Sequence, residues 1–174
     1  PDRSGKPFDQ IANVLDLARR FPNTRTLRIT PWYPPEIIGS DGTRKVVVAP
    51  CHGDVHFHLY PESQEMVLMH YQRSGDIPVG VQFNIVEYAA LGMMFAKVLG
   101  YTFVELVHYI SDAHIYGQQI PFVEKLLDRE ARVFPAVVLD SEAPQEDVFA
   151  FRREHFILPE DYNPHPWMEI PTPT

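Results

Sequence analysis

Ala49-Pro50-Cys51-His52 carries the chain's single cysteine, with an imidazole directly after it. A lone cysteine in a folded chain is usually a small buried hydrophobe, so chemistry at Cys51 needs neighbours that favour a thiolate. The segment Gln72-Arg73-Ser74-Gly75-Asp76 offers a guanidinium, a hydroxyl and a carboxylate. Asn84 adds an amide, and Asp112-Ala113-His114-Ile115-Tyr116 adds an imidazole and a phenol two residues apart. Each has an ordinary role open to it: Asn84 as a helix cap, Asp76 in a turn, His114 and Tyr116 as a hydrogen-bonded pair. Together they suit a pyrimidine nucleotide. A thiolate can add to carbon-6 of a uracil ring and make carbon-5 nucleophilic. Arg73 and Ser74 suit a phosphate, an amide matches the paired donor and acceptor of the uracil edge, and His114 with Tyr116 could hold a sugar hydroxyl.

Elements far apart in sequence must gather these groups. Residues 9–20 place Ile11, Val14, Leu15 and Ala18 at helical spacing, with Arg19 and Arg20 in the last turn. Residues 26–30 alternate as a strand that Arg25 enters and Pro31 closes. The pattern over 45–48 predicts a second strand, and Gly39 to Thr43 reads as an excursion between them. Trp32 is expected as a packing anchor. Residues 55–60 and 66–71 alternate and predict neighbouring antiparallel strands. Residues 82–99 predict the long central helix, capped by Gly100. Residues 101–110 predict a strand that delivers His114 and Tyr116 to its end. A helix over 120–128 and short strands over 136–139 and 148–151 complete the pattern. Uneven interleaving of strands and helices predicts an α+β fold, one large mixed β-sheet packed with helices.

With 174 residues, 45% of them hydrophobic, the chain can bury a full core, and one domain over 1–174 is expected. A formal charge of −8 provides no broad basic surface, which argues against nucleic acid as a partner. No apolar run of membrane-spanning length stands out, so no membrane partner is expected. One cysteine permits no internal disulfide, which fits a reducing compartment, and a cytoplasmic location is expected.

Four motifs, in order and at similar spacing, resemble the successive signatures of the thymidylate synthase family: Ala49-Pro50-Cys51-His52; Gln72 to Asp76 with Gly80 and Phe83-Asn84; Asp112 to Tyr116; and Asn163-Pro164-His165-Pro166. The resemblance covers about Arg25 to Pro166. It implies a sheet-to-sheet homodimer acting on dUMP, with 5,10-methylenetetrahydrofolate as co-substrate and no metal. By resemblance, Cys51 is the nucleophile and His52 belongs to the polar network around the base. Arg73 and Ser74, with Gly75 between Ser74 and Asp76, bind the nucleotide's phosphate side, joined by Arg25 from the partner. Asn84 selects uracil, His114 and Tyr116 hold the 3′-hydroxyl, and Asp76 lies between nucleotide and folate. Departures from the family pattern are Thr26 in place of a second arginine, Gln82 in place of proline, and Gly117-Gln118-Gln119 in place of an Asn-His pair. The tail Glu169-Ile170-Pro171-Thr172-Pro173-Thr174 is less apolar than is usual. The family's N-terminal part, with an arginine loop, a glutamate and tryptophans, is mostly absent from this stretch.

Three other readings compete. A nucleotide hydroxymethylase would quench the same intermediate with water, and relatives acting on cytosine carry Asp at the position of Asn84. Cys51, His52, His56 and His58 fall within eight residues and could be metal ligands. A non-catalytic nucleotide-binding module would keep the pocket without turnover.

Overall fold

The computed structural model describes residues 5–39, 42–43 and 45–172. The excursion expected over 39–43 therefore lies partly outside the described residues, as do Pro173 and Thr174 of the tail.

Helix α1 (Gln10–Arg20) begins where the Asp9 carboxylate accepts the Ala12 amide at 3.0 Å, and it buries Val14, Leu15 and Ala18. Its first residue also fixes the chain downstream of β1 (Arg28–Ile29). Gln10 Nε2 donates to the Thr30 carbonyl and Gln10 Oε1 accepts the Thr30 amide, both at 2.9 Å. The side-chain amide thus supplies the pairing that a neighbouring strand would have given. After β1, Pro31 and Trp32 lead into a short helix α2 (Pro34–Ile37), with proline in its first turn.

Strands β2 (Asp54–Tyr60) and β3 (Glu65–Asp76) pair antiparallel, and β1 pairs antiparallel with β2. Val55, Phe57 and Leu59 of β2 and Met66, Leu68, His70 and Gln72 of β3 share the buried face, as the two-residue period requires. Strand β4 (Thr102–His114) lies parallel to β3 and completes a four-stranded mixed sheet in the order β1-β2-β3-β4. A parallel pair needs a crossover, which a π-helical turn (Ile77–Val81) and helix α3 (Gln82–Leu99) provide. The β3/β4 register sets Ser74 opposite Asp112, Gly75 opposite Ala113 and Asp76 opposite His114. Two motifs 38 positions apart, as in the Asp76–His114 pair, thereby become neighbours.

Helix α3 covers the buried sheet face. Phe95 is fully buried and stacks on Phe57 with ring centroids 4.4 Å apart, and a Cβ on Gly92 would come within 2.5 Å of the Phe103 ring. Gly100, at φ 76°, ends the helix in the left-handed conformation. The segment Ile77–Leu99 is long and apolar enough, by length and composition, to cross a membrane, contrary to the expectation from reading the sequence. Here it packs on the sheet through Tyr88, Gly92, Phe95, Ala96 and Val98. Its other face, with Ile85, Ala89 and Met93, lines an apolar groove of about 410 Å³ against Val137, Phe156 and Leu158. Helix α4 (Ile120–Leu127) and an antiparallel pair, β5 (Val138–Leu139) with β6 (Phe156–Ile157), complete the described α-helices and strands.

Two expected strands do not form. Residues 45–48 run as bends with Val47 and Val48 exposed, and this β-branched run pairs with none of the described strands. Residues 148–151 hold a 3₁₀ turn (Val148–Ala150), because the Asp147 carboxylate accepts the Phe149 amide at 2.8 Å. Strands β3 and β4 also run several residues past their expected ends, and these extensions carry the polar motifs.

Candidate active site

Cys51 sits half-buried in the loop that enters β2, and that loop is clamped to β3. The Cys51 carbonyl accepts the amides of Arg73 at 2.7 Å and Ser74 at 3.4 Å. The Arg73 side chain folds back over the loop: Nε donates to the Pro50 carbonyl at 3.2 Å and Nη2 to the Ala49 carbonyl at 3.3 Å. The same Nη2 lies 3.5 Å from Cys51 Sγ. A cation therefore stands where a sulfur anion would carry its charge, and Coulomb attraction there is stronger than in water. The neutral thiol has only a long contact, to the Ala49 carbonyl at 3.8 Å.

Beside the sulfur opens a cavity of about 270 Å³, lined by Pro31, Trp32, Pro50, Cys51, His52, Asp54, Tyr71 and Arg73. Trp32 is 37% exposed and belongs to this wall, so the packing-anchor expectation is corrected: the indole faces the cavity and solvent and is not buried in the core. Asp54 is held by Arg28 through two bonds of 2.8 Å, and this pairing raises the guanidinium's pKa.

On the buried face of the sheet, a second group of polar side chains backs the cysteine loop. His52 Nδ1 and the Tyr88 hydroxyl are 2.6 Å apart, and the His70 ring stacks on Tyr88 with centroids 3.5 Å apart. Burial pushes the Tyr88 hydroxyl up to about 12, with the Glu87 charge adding to it. The His108 ring stands edge-on to His70 at 4.5 Å. Gln72, also buried, donates from Nε2 to the Ser74 carbonyl and to Asn84 Oδ1, each at 3.0 Å. Asn84 is the third residue of α3 and caps nothing; the helix has no side-chain cap.

Asp76 closes β3 at the far end of the motif. Gln119 Nε2 donates to Asp76 Oδ2 at 2.9 Å and to the Pro171 carbonyl at 3.0 Å, while Gln119 Oε1 accepts the Tyr116 amide at 2.9 Å. One fully buried glutamine thus ties the end of β3, the segment after β4 and the tail together. Asp76 Oδ1 is buried with no hydrogen-bond partner among the described residues. His114 and Tyr116 meet edge to face with centroids 5.0 Å apart, and His114 Nδ1 lies 3.2 Å from the Asp112 carbonyl.

The structure therefore joins Cys51 to Arg73 and Ser74, Ser74 to Asn84 through Gln72, and Asp76 to His114 by strand register. Gly75, between them, is packed so closely that a Cβ would lie 2.8 Å from Val81 and 3.3 Å from Gln72 Nε2. Asn84 and His114 are not in the wall of the cavity beside the sulfur. Arg25 stands apart in an exposed turn, its carbonyl bonded to His56. The metal reading is not supported: among the described residues no three His, Cys, Asp or Glu side chains are grouped to hold an ion. Sequence reasoning missed His70, Gln72, Tyr88, His108 and Gln119. For His70 and Gln72 the available signal was a polar residue at buried parity in β3.

Burial, reinforced by His108 and His52, pushes the His70 pKa down to about 3 from 6.5. Between those values the unfolded chain binds the extra proton and the folded chain does not. The contribution of His70 to stability is thus intact above pH 6.5 and is lost as pH falls toward 3. In thermal melts across that window, His70→Gln should flatten the decline relative to the parent chain; equal slopes would contradict it.

A family model described as thymidylate synthase matches residues 1–173.

Proposed function

We propose, on the premise that the chain belongs to the thymidylate synthase family, that residues 1–174 are one thymidylate synthase-type domain transferring a one-carbon unit to carbon-5 of dUMP. The reading is carried by the Arg73 guanidinium 3.5 Å from the Cys51 sulfur at the wall of a cavity. Cys51 adds to carbon-6, and the ring's π electrons shift toward carbon-5, which attacks the methylene carried by tetrahydrofolate. Loss of the carbon-5 proton, release of the carrier and hydride transfer from it then give a methyl group, dihydrofolate and free thiolate. Arg73 and Ser74 would bind the phosphate, and His52 would belong to the polar network beside the base. Asn84, held by Gln72, offers an acceptor beside a donor to the uracil edge. His114 and Tyr116 would hold the sugar hydroxyl.

Family membership brings methylenetetrahydrofolate as co-substrate, and two observations support room for it. The unpartnered Asp76 Oδ1 suits an N–H donor of a pterin ring. A second cavity of about 210 Å³ is lined by Pro78, two residues after Asp76 in sequence, with Val79, Gln82, Phe83, His165 and Trp167 among others. Incubating the full-length protein with dUMP and methylenetetrahydrofolate should yield dTMP and dihydrofolate in equal amounts. A 5-hydroxymethyl product without dihydrofolate would instead make it a hydroxymethylase.

The homodimer reading rests on the outer sheet face, where Met69, Tyr71, Val107 and Tyr109 stand exposed and Tyr71 and Tyr109 stack at 5.5 Å. Such an apolar, aromatic sheet face suits an interface between copies, from which Arg25 of a second copy would reach the phosphate. Tyr109→Glu should shift sedimentation from dimer to monomer; an unchanged dimer would place the interface elsewhere.

A further inference from the structure

A line of hydrogen bonds runs across the buried face from the cysteine loop to Asn84. The Gly53 amide donates to His70 Nε2 at 3.1 Å. His70 Nδ1 lies 3.5 Å from His108 Nδ1, and His108 Nε2 lies 2.9 Å from Gln72 Oε1. Gln72 Nε2 then donates to Asn84 Oδ1 at 3.0 Å. We propose that His70 and His108 are positioning residues that fix the sense of this line and so hold the Asn84 amide in the orientation that accepts uracil and rejects cytosine.

The sense follows from the first link. A backbone N–H can only donate, so His70 Nε2 is an acceptor and a neutral His70 carries its proton on Nδ1. That proton points at His108 Nδ1, which makes it the acceptor and puts the second ring's proton on Nε2. There it meets Gln72 Oε1. The Gln72 amide is satisfied in one orientation only, with Nε2 shared between the Ser74 carbonyl and Asn84 Oδ1. If Asn84 turned over, its NH₂ would face that of Gln72, two donors without an acceptor. The asparagine therefore keeps one Oδ1 lone pair for a ring N–H and its NH₂ for a ring carbonyl. Cytosine presents the reverse pattern.

Both rings must be neutral for the line to hold, and burial lowers both, with His52 adding to each and His108 adding at His70. Gly53 is itself required. At φ 109° it takes a conformation few side chains tolerate, and a Cβ would meet Pro31 at 3.0 Å.

The inference rests on the nucleotide reading of the site, and its test has one arm that does not. Long-range ¹H–¹⁵N correlation on protein labelled at histidine should show His70 as the Nδ1–H and His108 as the Nε2–H tautomer. The opposite tautomer at either ring overturns the proposal, with or without nucleotide. In the second arm, dUMP and dCMP binding are compared by calorimetry for the parent chain, His108→Leu and His108→Gln. Loss of the donor in His108→Leu should reduce the preference for dUMP on the order of tenfold, and His108→Gln, which keeps an N–H, should restore it. A folded His108→Leu with unchanged preference refutes the role of the histidines while leaving the site reading intact. Binding of neither nucleotide by the parent chain refutes both.

Discussion

Cys51→Ala is expected to lower turnover by on the order of 10⁴-fold or more while leaving nucleotide affinity within a few-fold. On the proposed reading the sulfur makes the bond to carbon-6, and no second cysteine exists in the chain to replace it. The loop is held chiefly through its backbone, the thiol adding only the long contacts to the Ala49 carbonyl at 3.8 Å and Arg73 Nη2 at 3.5 Å. Its carbonyls at Ala49, Pro50 and Cys51 take the hydrogen bonds from Arg73 and Ser74, and none of these involves the Cys51 side chain. On the proposed reading, truncation removes the nucleophile and keeps the frame proposed to bind phosphate and base. Steady-state rates set beside calorimetric affinity separate the two effects. A binding module would show no turnover before or after the change, and affinity falling in parallel with rate would mean that the cysteine acts structurally.

The second large effect concerns the support beneath Asn84. Phe95 is fully buried, stacks on Phe57 and is the most enclosed aromatic of α3. Phe95→Ala removes the buried ring and leaves a hole that β2 and α3 cannot fill by collapse, since both are held by sheet pairing and by Gly92 against Phe103. A loss of about 3–5 kcal/mol is expected, which lowers Tm by roughly 10 °C in a domain of this size. Chemical denaturation and thermal melts check it. A change below about 1 kcal/mol would mean that the α3–sheet contact contributes less to the core than its burial indicates.

Much of this frame was legible in the letters. The 3.6-residue spacing of Val14, Leu15 and Ala18 marks α1, and Gly100 ends α3 as a left-handed cap should. Alternation places Phe57 and Leu68 inward. The motifs also put Arg73 with Cys51, because a strand end and a strand entrance that carry polar clusters converge when the strands pair. What the letters hid is register and long-range bonding. The run 45–48 has strand composition, but composition alone does not supply a partner strand. His70 and Gln72 stand at buried parity and so demand partners, yet only the β3/β4 register reveals that His108 meets them. Gln119 is beyond local reading altogether, since its partners are Asp76, Tyr116 and Pro171. Its place in a departure from the family pattern marked it as different without saying what it holds.

The most direct test is the mass of the full-length protein after incubation with 5-fluoro-deoxyuridylate and methylenetetrahydrofolate. Fluorine at carbon-5 cannot leave as a proton does, so the attacked ring should stay bonded to the enzyme and to the carrier. One nucleotide and one carrier added per chain, mapped to Cys51 and absent from Cys51→Ala, is the predicted result. An unmodified protein, or an adduct on any other residue, would contradict the account.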